Sequence, residues 1–342
     1  RPMADSPRRA VTQDDSLPPV EPPSAGFLVQ LFLVPAIIVG IIVAVWIAFH
    51  WLAQLGNDPE GYLKALRRQT EGRWQAALNL ANDLRGPGGA ALKQDAGLAA
   101  ALAGILADEV ASGRPRGAGY GGEQSRALCD YLCRALGEFA MPEAAPPLVA
   151  RAADVAEPRT ARSAVEALAV LASNLAAAGR GFADPAAVTA AVLAASRSDD
   201  AGLRSAAAFA LGVIGGAGAA ERLESLEGDV AEDVRFNAAT GLARLGRPEA
   251  YTTLAEMLAL PDVAVAEGDD AAQAGRYRRA LIVVNALKAV GLLVDASRET
   301  PPEAVVAAVA KLASDPAADV RVAAAALAGK FDRIAAPAAA TP

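Results

Sequence analysis

Hydrophobic and polar positions divide the chain into three parts. Residues 1–24 are polar and Pro-rich, show no apolar period, and are predicted to be a disordered tail. Met3 is a candidate translation start. No charged residue stands between Glu21 and Asp58. Within that window, residues 25–55 hold the run FLVQLFLVPAIIVGIIVAVWIAFHWLA, long enough as a helix to cross ~30 Å of hydrocarbon. A single transmembrane helix is expected. Pro35 and Gly40 are tolerated in such a helix, and Trp46, His50 and Trp51 fall near its C-terminal end, where amphipathic rings favour the membrane interface. A cleavable signal peptide is the rival reading; against it stand the length of the run and the lack of a small-x-small site after it.

Beyond the apolar run the pattern changes to the helical period. Residues Pro59 to Arg85 read as two helices, opened by Pro59 at a first-turn position, and residues 56–89 are expected to form a juxtamembrane cap. Residues 90–334 read as one repeating helical domain, and 335–342 as a disordered Ala/Pro tail. Inside the domain, Ala90 to Ser112 is predicted as one long helix, residues 113–123 (GRPRGAGYGGE) as a flexible Gly-rich loop, and Glu123 to Ala140 as a helix. Pro146-Pro147, Pro158 and Pro185 mark further helix starts, and residues 261–276 (PDVAVAEGDDAAQAGR) are expected to be a loop interrupting the fifth pair.

A short sentence occurs twice: DDAGLRSAAAFALGVIG from Asp199 and AEDVRFNAATGLARLG from Ala231. After Arg204 come Leu211, Ile214 and Gly215; after Arg235, at the same offsets, come Leu242, Leu245 and Gly246. These offsets share one face of a helix. The glycine is placed to serve as a C-cap, and the alanines allow close helix approach. Looser copies anchor at 126, 161, 280 and 321. Each unit buries one apolar face and so needs a stacked neighbour; the fold class is all-α, an α-solenoid of about six helical pairs behind the apolar segment.

These residues resemble the HEAT-repeat family in its short bacterial form, through Asp200 with Leu203-Arg204, Asp233 with Val234-Arg235, and Asp315-Pro316 with Val320-Arg321. The resemblance implies that Asp200, Asp233 and Asp315 brace the turns between paired helices. It also implies that Arg204, Arg235 and Arg321 bond neighbouring carbonyls or carboxylates, and that the second helices line a concave surface. It marks a fold and not an activity.

Composition removes several functions. A net charge of -7 with 5% aromatic residues leaves neither the basic face nor the stacking platform of a nucleic-acid binder. The sole histidine, His50, sits at the apolar boundary, so no Ser-His-Asp triad, Cys-His pair or His-rich metal site is available to the repeats. Cys129 and Cys133 share a helix face, lack further soft ligands, and read as buried core thiols. The Gly-rich loop lacks the preceding strand and Lys-Ser/Thr ending of a phosphate loop. Glu267, Asp269 and Asp270 lack the alternating spacing of a calcium loop.

The sequence therefore reads as a membrane-anchored, non-catalytic scaffold without cofactor or metal, whose second helices hold a partner protein or peptide. Candidate partner contacts are Arg244, Glu267, Asp269, Asp270, Arg276 and Arg278. Two other readings stay open: an accessory subunit of a transporter or secretion complex whose apolar helix packs with other subunits, and a lyase acting on tetrapyrroles. Lys64, Arg67, Arg68 and Arg73 after the apolar segment, against Arg1, Arg8 and Arg9 before it, tilt the repeats toward the cytoplasmic side of a cell (inner) membrane. Export of the repeats remains the other orientation. Partner identity and oligomeric state are not legible.

Overall fold

The structure, a computed structural model, describes residues 25–54, 59–68, 70, 72–262 and 270–335. The chain forms two compact units, divided after Gly56. In the first, α1 (Ala25–Gln54) runs through Pro35 without interruption. Its segment Val29–Phe49 has a mean hydropathy of 2.9 and none of it is buried. Such a helix is long and apolar enough to cross a membrane, and a signal sequence meets the same test. Gly40 has open space where a side chain would stand. The side chains of His50 and Trp51 lie outside the described residues, as do residues 1–24, Glu267 and Asp269.

Among the described residues the second unit stacks seven helical pairs. In order they are α2 (Pro59–Arg67) with α3 (Arg73–Arg85), α4 (Ala96–Ala111) with α5 (Gly119–Gly137), α6 (Ala145–Ala152) with α7 (Pro158–Ala177), and α8 (Pro185–Ala195) with α9 (Ala201–Ile214). Then follow α10 (Ala219–Leu226) with α11 (Glu232–Arg244), α12 (Tyr251–Leu258) with α13 (Asp270–Ser297), and α14 (Glu303–Leu312) with α15 (Ala318–Ala335). The odd-numbered helices from α3 to α15 pack each on the next and form one layer; the even-numbered helices form the other. Between the layers runs one continuous core, from Leu66 to Phe331. Repetition of a unit that buries only one face explains this elongated core. The expected two helices at 59–85 and six pairs after them are present.

Several local expectations change. The helix predicted from Ala90 to Ser112 is two elements, because the Asp95 carboxylate accepts from the Leu98 amide at 2.9 Å and caps a new helix after a 3-10 turn at 92–94. The Gly-rich segment is shorter than expected: α5 already begins at Gly119, which has φ 74°. A Cβ on Gly122 would stand 1.9 Å from the Gly117 carbonyl oxygen, so the glycines permit a tight backbone approach. The predicted cap glycines Gly215 and Gly246 follow their helices with positive φ. At the same offset in the looser copies, Gly137 ends α5 against Ala167, and Gly291 lies inside α13. The interruption expected at 261–276 is also shorter, since α13 starts at Asp270 and carries Arg276 and Arg278 on a helix of 28 residues. Although α13 is apolar enough for a membrane span by composition, it is a partly buried element of the solenoid.

Candidate binding face

Each odd-numbered helix from α3 to α15 opens with an arginine, or carries one in its first turns, and most of these arginines tie two pairs together. Arg204 donates from Nη1 to the Ser198 carbonyl of its own turn, and from Nε and Nη2 to Asp229 of the next turn at 2.8 and 2.9 Å. Arg235 reaches back to the Asp229 carbonyl and forward to Glu256. Arg279 reaches back to the Leu260 carbonyl and forward to Asp315 at 2.7 Å. In the last pair Arg321 donates to the carbonyls of Asp315 and Pro316. In the first, Arg73 donates to the Leu66 carbonyl and to Glu109. The planar guanidinium, with donors on two edges, can serve a carbonyl and a carboxylate at once.

The turn carboxylates are held accordingly. Asp200 caps α9 by accepting from the Leu203 amide at 2.7 Å. Asp315 accepts from the Ala317 amide and from Arg279, and is buried. Burial alone would raise its pKa, but the hydrogen bonds and the guanidinium keep it below the usual carboxylate range. Asp233 does not brace a turn as expected. It lies within the first turn of α11, exposed, and pairs with Arg278 at 2.7 Å. The bracing residue is Asp229, which accepts from the Ala231 amide and whose bonds from Arg204 lower its pKa. Asp229 and Asp315 both stand six residues before the arginine that bonds their main-chain carbonyl, Arg235 and Arg321 respectively. Glu109, near the end of α4, was missed altogether. It is 2% exposed and collects Arg73, Arg114 and Ser125. Burial opposes its ionisation, yet the hydrogen bonds from Ser125 and the two arginines hold its pKa down.

On the free face of the odd layer, residues the fold does not consume are gathered. α13 presents Leu281, Asn285, Lys288 and Leu292, all exposed, at helical spacing. α11 presents Asn237 and Arg244, and α9 presents Ser205 and Phe209. Between them lies a groove of about 380 Å³ whose deeper wall includes Phe236 and Met257. α11 and α13 are the least closely packed neighbours of the layer, whereas α9 and α11 are the closest. That closeness comes from two glycines: a Cβ on Gly212 would stand 2.3 Å from the Cα of Gly241.

Arg244, a predicted contact, lines this groove with its guanidinium 5.0 Å from the Phe209 ring centroid, a cation–π distance. Burial pushes its pKa below the ordinary value. The other predicted contacts are distributed differently. Arg276 pairs with Asp262 at 3.0 Å, Arg278 is shared by Glu232 and Asp233, and Asp270 is exposed in the first turn of α13. Arg279, the next residue along α13, is buried. Cys129 and Cys133 are buried free thiols, and burial pushes Cys129 up to about 12. Among the described residues no three His, Cys, Asp or Glu side chains are grouped to hold a metal.

Residues 188–269 match the family model described as HEAT repeats. No curated protein matches the chain. Among solved structures the chain is similar to an engineered protein (20% identity, 81% of this chain and 98% of that one, TM-score 0.34). It is also similar to human deoxyhypusine hydroxylase in complex with glycerol (18% identity, 81% and 97%, TM-score 0.32), and to a second engineered protein (16% identity, 81% and 99%, TM-score 0.27). At these TM-scores the structural likenesses bear on neither activity nor partners.

Proposed function

We propose, from the premise that this chain carries HEAT repeats, that it is a non-catalytic scaffold whose odd-numbered helices hold a partner protein, with α1 as its single-pass membrane anchor. One observation carries the reading: the groove across α9, α11 and α13. It is lined by Phe209, Arg244, Asn285 and Leu292, side chains exposed or half-exposed on a face that a self-sufficient solenoid would fill with routine polar residues. The domain assignment follows: anchor at 25–55, cap at 56–89, repeats at 90–334. Under the charge distribution around α1 the repeats face the cytoplasm.

A second reading has its own observation. The side chains of Val29–Phe49 are all solvent-facing within the unit and Gly40 leaves a notch, which suits packing against other membrane helices in a fixed complex. Cross-linking followed by pull-down of the intact protein from its native membrane tests both. A scaffold keeps its partners when α1 is replaced by an unrelated apolar helix and loses them when Phe209 and Leu292 are changed to Ser. A subunit held through α1 does the reverse. Recovery of no partner in any form contradicts both readings.

A further inference from the structure

The groove between α11 and α13 contains two cations, Arg244 and Lys288, to which no described residue offers a carboxylate. Among the described residues neither Arg244 nor Lys288 has a hydrogen bond or an ion pair, while Arg235 on α11 and Arg278 and Arg279 on α13 each hold a carboxylate. Among the described residues the one acid in the groove lining, Asp233, is already taken by Arg278. In a chain of net charge -7 this is a local inversion of sign. The Arg244 side chain is exposed, and its guanidinium lies over the Phe209 ring.

The rest of the lining is not that of an anion site for bare phosphate. Phe209, Phe236, Met257 and Leu292 give the groove an apolar floor and rim. Asn285 is exposed, and Asn237 donates to Ser205 while its amide oxygen remains an acceptor. Two amides, two cations and an apolar floor, in about 380 Å³, match a few residues of a peptide: a carboxylate for the cations, main-chain groups for the amides, and apolar neighbours for the floor. We propose that this groove recognises a partner segment carrying an Asp or Glu flanked by large apolar residues, with Arg244 and Lys288 as the carboxylate-reading pair. This rests on the scaffold reading and adds the chemistry of the partner.

The test uses the full-length protein in nanodiscs and a displayed library of short random peptides. The wild-type chain is expected to enrich peptides with an acidic residue between apolar ones. An enriched peptide should bind the Arg244→Gln/Lys288→Gln chain about 10- to 100-fold more weakly, with an unchanged melting temperature. The Arg244→Glu/Lys288→Glu chain should enrich Lys or Arg at the same position. Enrichment without acidic preference, acidic peptides that bind both double variants as well as wild type, or no enrichment at all each overturns the proposal. So does equal groove-dependent binding to vesicles of an anionic phospholipid, which would assign the cations to phosphate. The scaffold reading is judged separately: if the pull-down yields partners lost with Phe209 and Leu292 while the library test fails, the scaffold stands and the carboxylate pair does not.

Discussion

In the α8–α9 pair, Arg204 reaches back to the Ser198 carbonyl and forward to Asp229. In the α2–α3 pair, Arg73 reaches back to the Leu66 carbonyl and forward to Glu109. The task is the same, but the acid differs in kind. Asp229 sits in a turn, 25 residues from its arginine, and also braces the local backbone. Glu109 sits in a helix, is deeply buried, and gathers three donors from three elements. The centre of the solenoid is therefore joined by a repeated local device, and its N-terminal end by a single buried network. The contrast teaches that a repeat can drift in sequence while the link between pairs is kept by whatever acid can reach the guanidinium.

Acidification should produce the largest effect, because it acts on both kinds of link. Glu109, Asp229 and Asp315 all have pKa values below the ordinary range. A lowered carboxylate stabilises the fold above its unfolded pKa, and that contribution disappears as pH falls through the folded value. The melting temperature should be nearly flat around neutral pH and should drop below about pH 4. Asp130, raised chiefly by burial, works in the opposite sense and softens the drop. Melting curves between neutral and acidic pH check this.

Next in size is Glu109→Ala, which leaves Arg73 (12% exposed) without its acid. A cost of about 3–5 kcal/mol is expected, read by denaturant titration. Hydrogen exchange should place the loss in α2–α5 and spare α11, since a solenoid transmits little beyond neighbouring repeats. Asp229→Ala should cost about 1.5–3 kcal/mol, the range for hydrogen bonds to charged groups, with exchange rising around α9–α11. Gly212→Ala forces the α9 and α11 backbones apart and should cost about 1–3 kcal/mol, checked by the same titration. Smallest is the half-exposed Arg235–Glu256 pair: Glu256→Gln should change stability by about 0–1 kcal/mol.

Legibility in the sequence followed the same divide. The central repeats could be read because Arg204 and Arg235 stand in near-copies of one sentence, and residues 188–269 are also where the family model matches. Asp200 at the turn before α9, where it caps that helix, and Arg321 as a carbonyl donor came from the same pattern. The resemblance points to Asp233 because it is adjacent to Val-Arg, whereas the bracing geometry needs the acid in the turn, six residues ahead of the arginine. The Gly212–Gly241 contact was invisible because nothing in a linear pattern says which two glycines meet. Glu109 was unreadable for a similar reason: its donors lie 36 residues before it and 5 and 16 after it. At the groove, Arg244 was legible as an exposed second-helix residue. Lys288 was not singled out, because a lone lysine on an apolar helix carries no signal until α11 is placed beside it.

The most direct measurement is site-specific photo-cross-linking in the native membrane. A cross-linking residue is placed at Asn285 on the groove, or at Glu221 on the exposed side of α10. The expected result is one or a few protein adducts from position 285 and none from 221. Adducts from 221 alone, or in equal measure from both, would contradict the assignment of the odd-numbered face as the partner-binding surface.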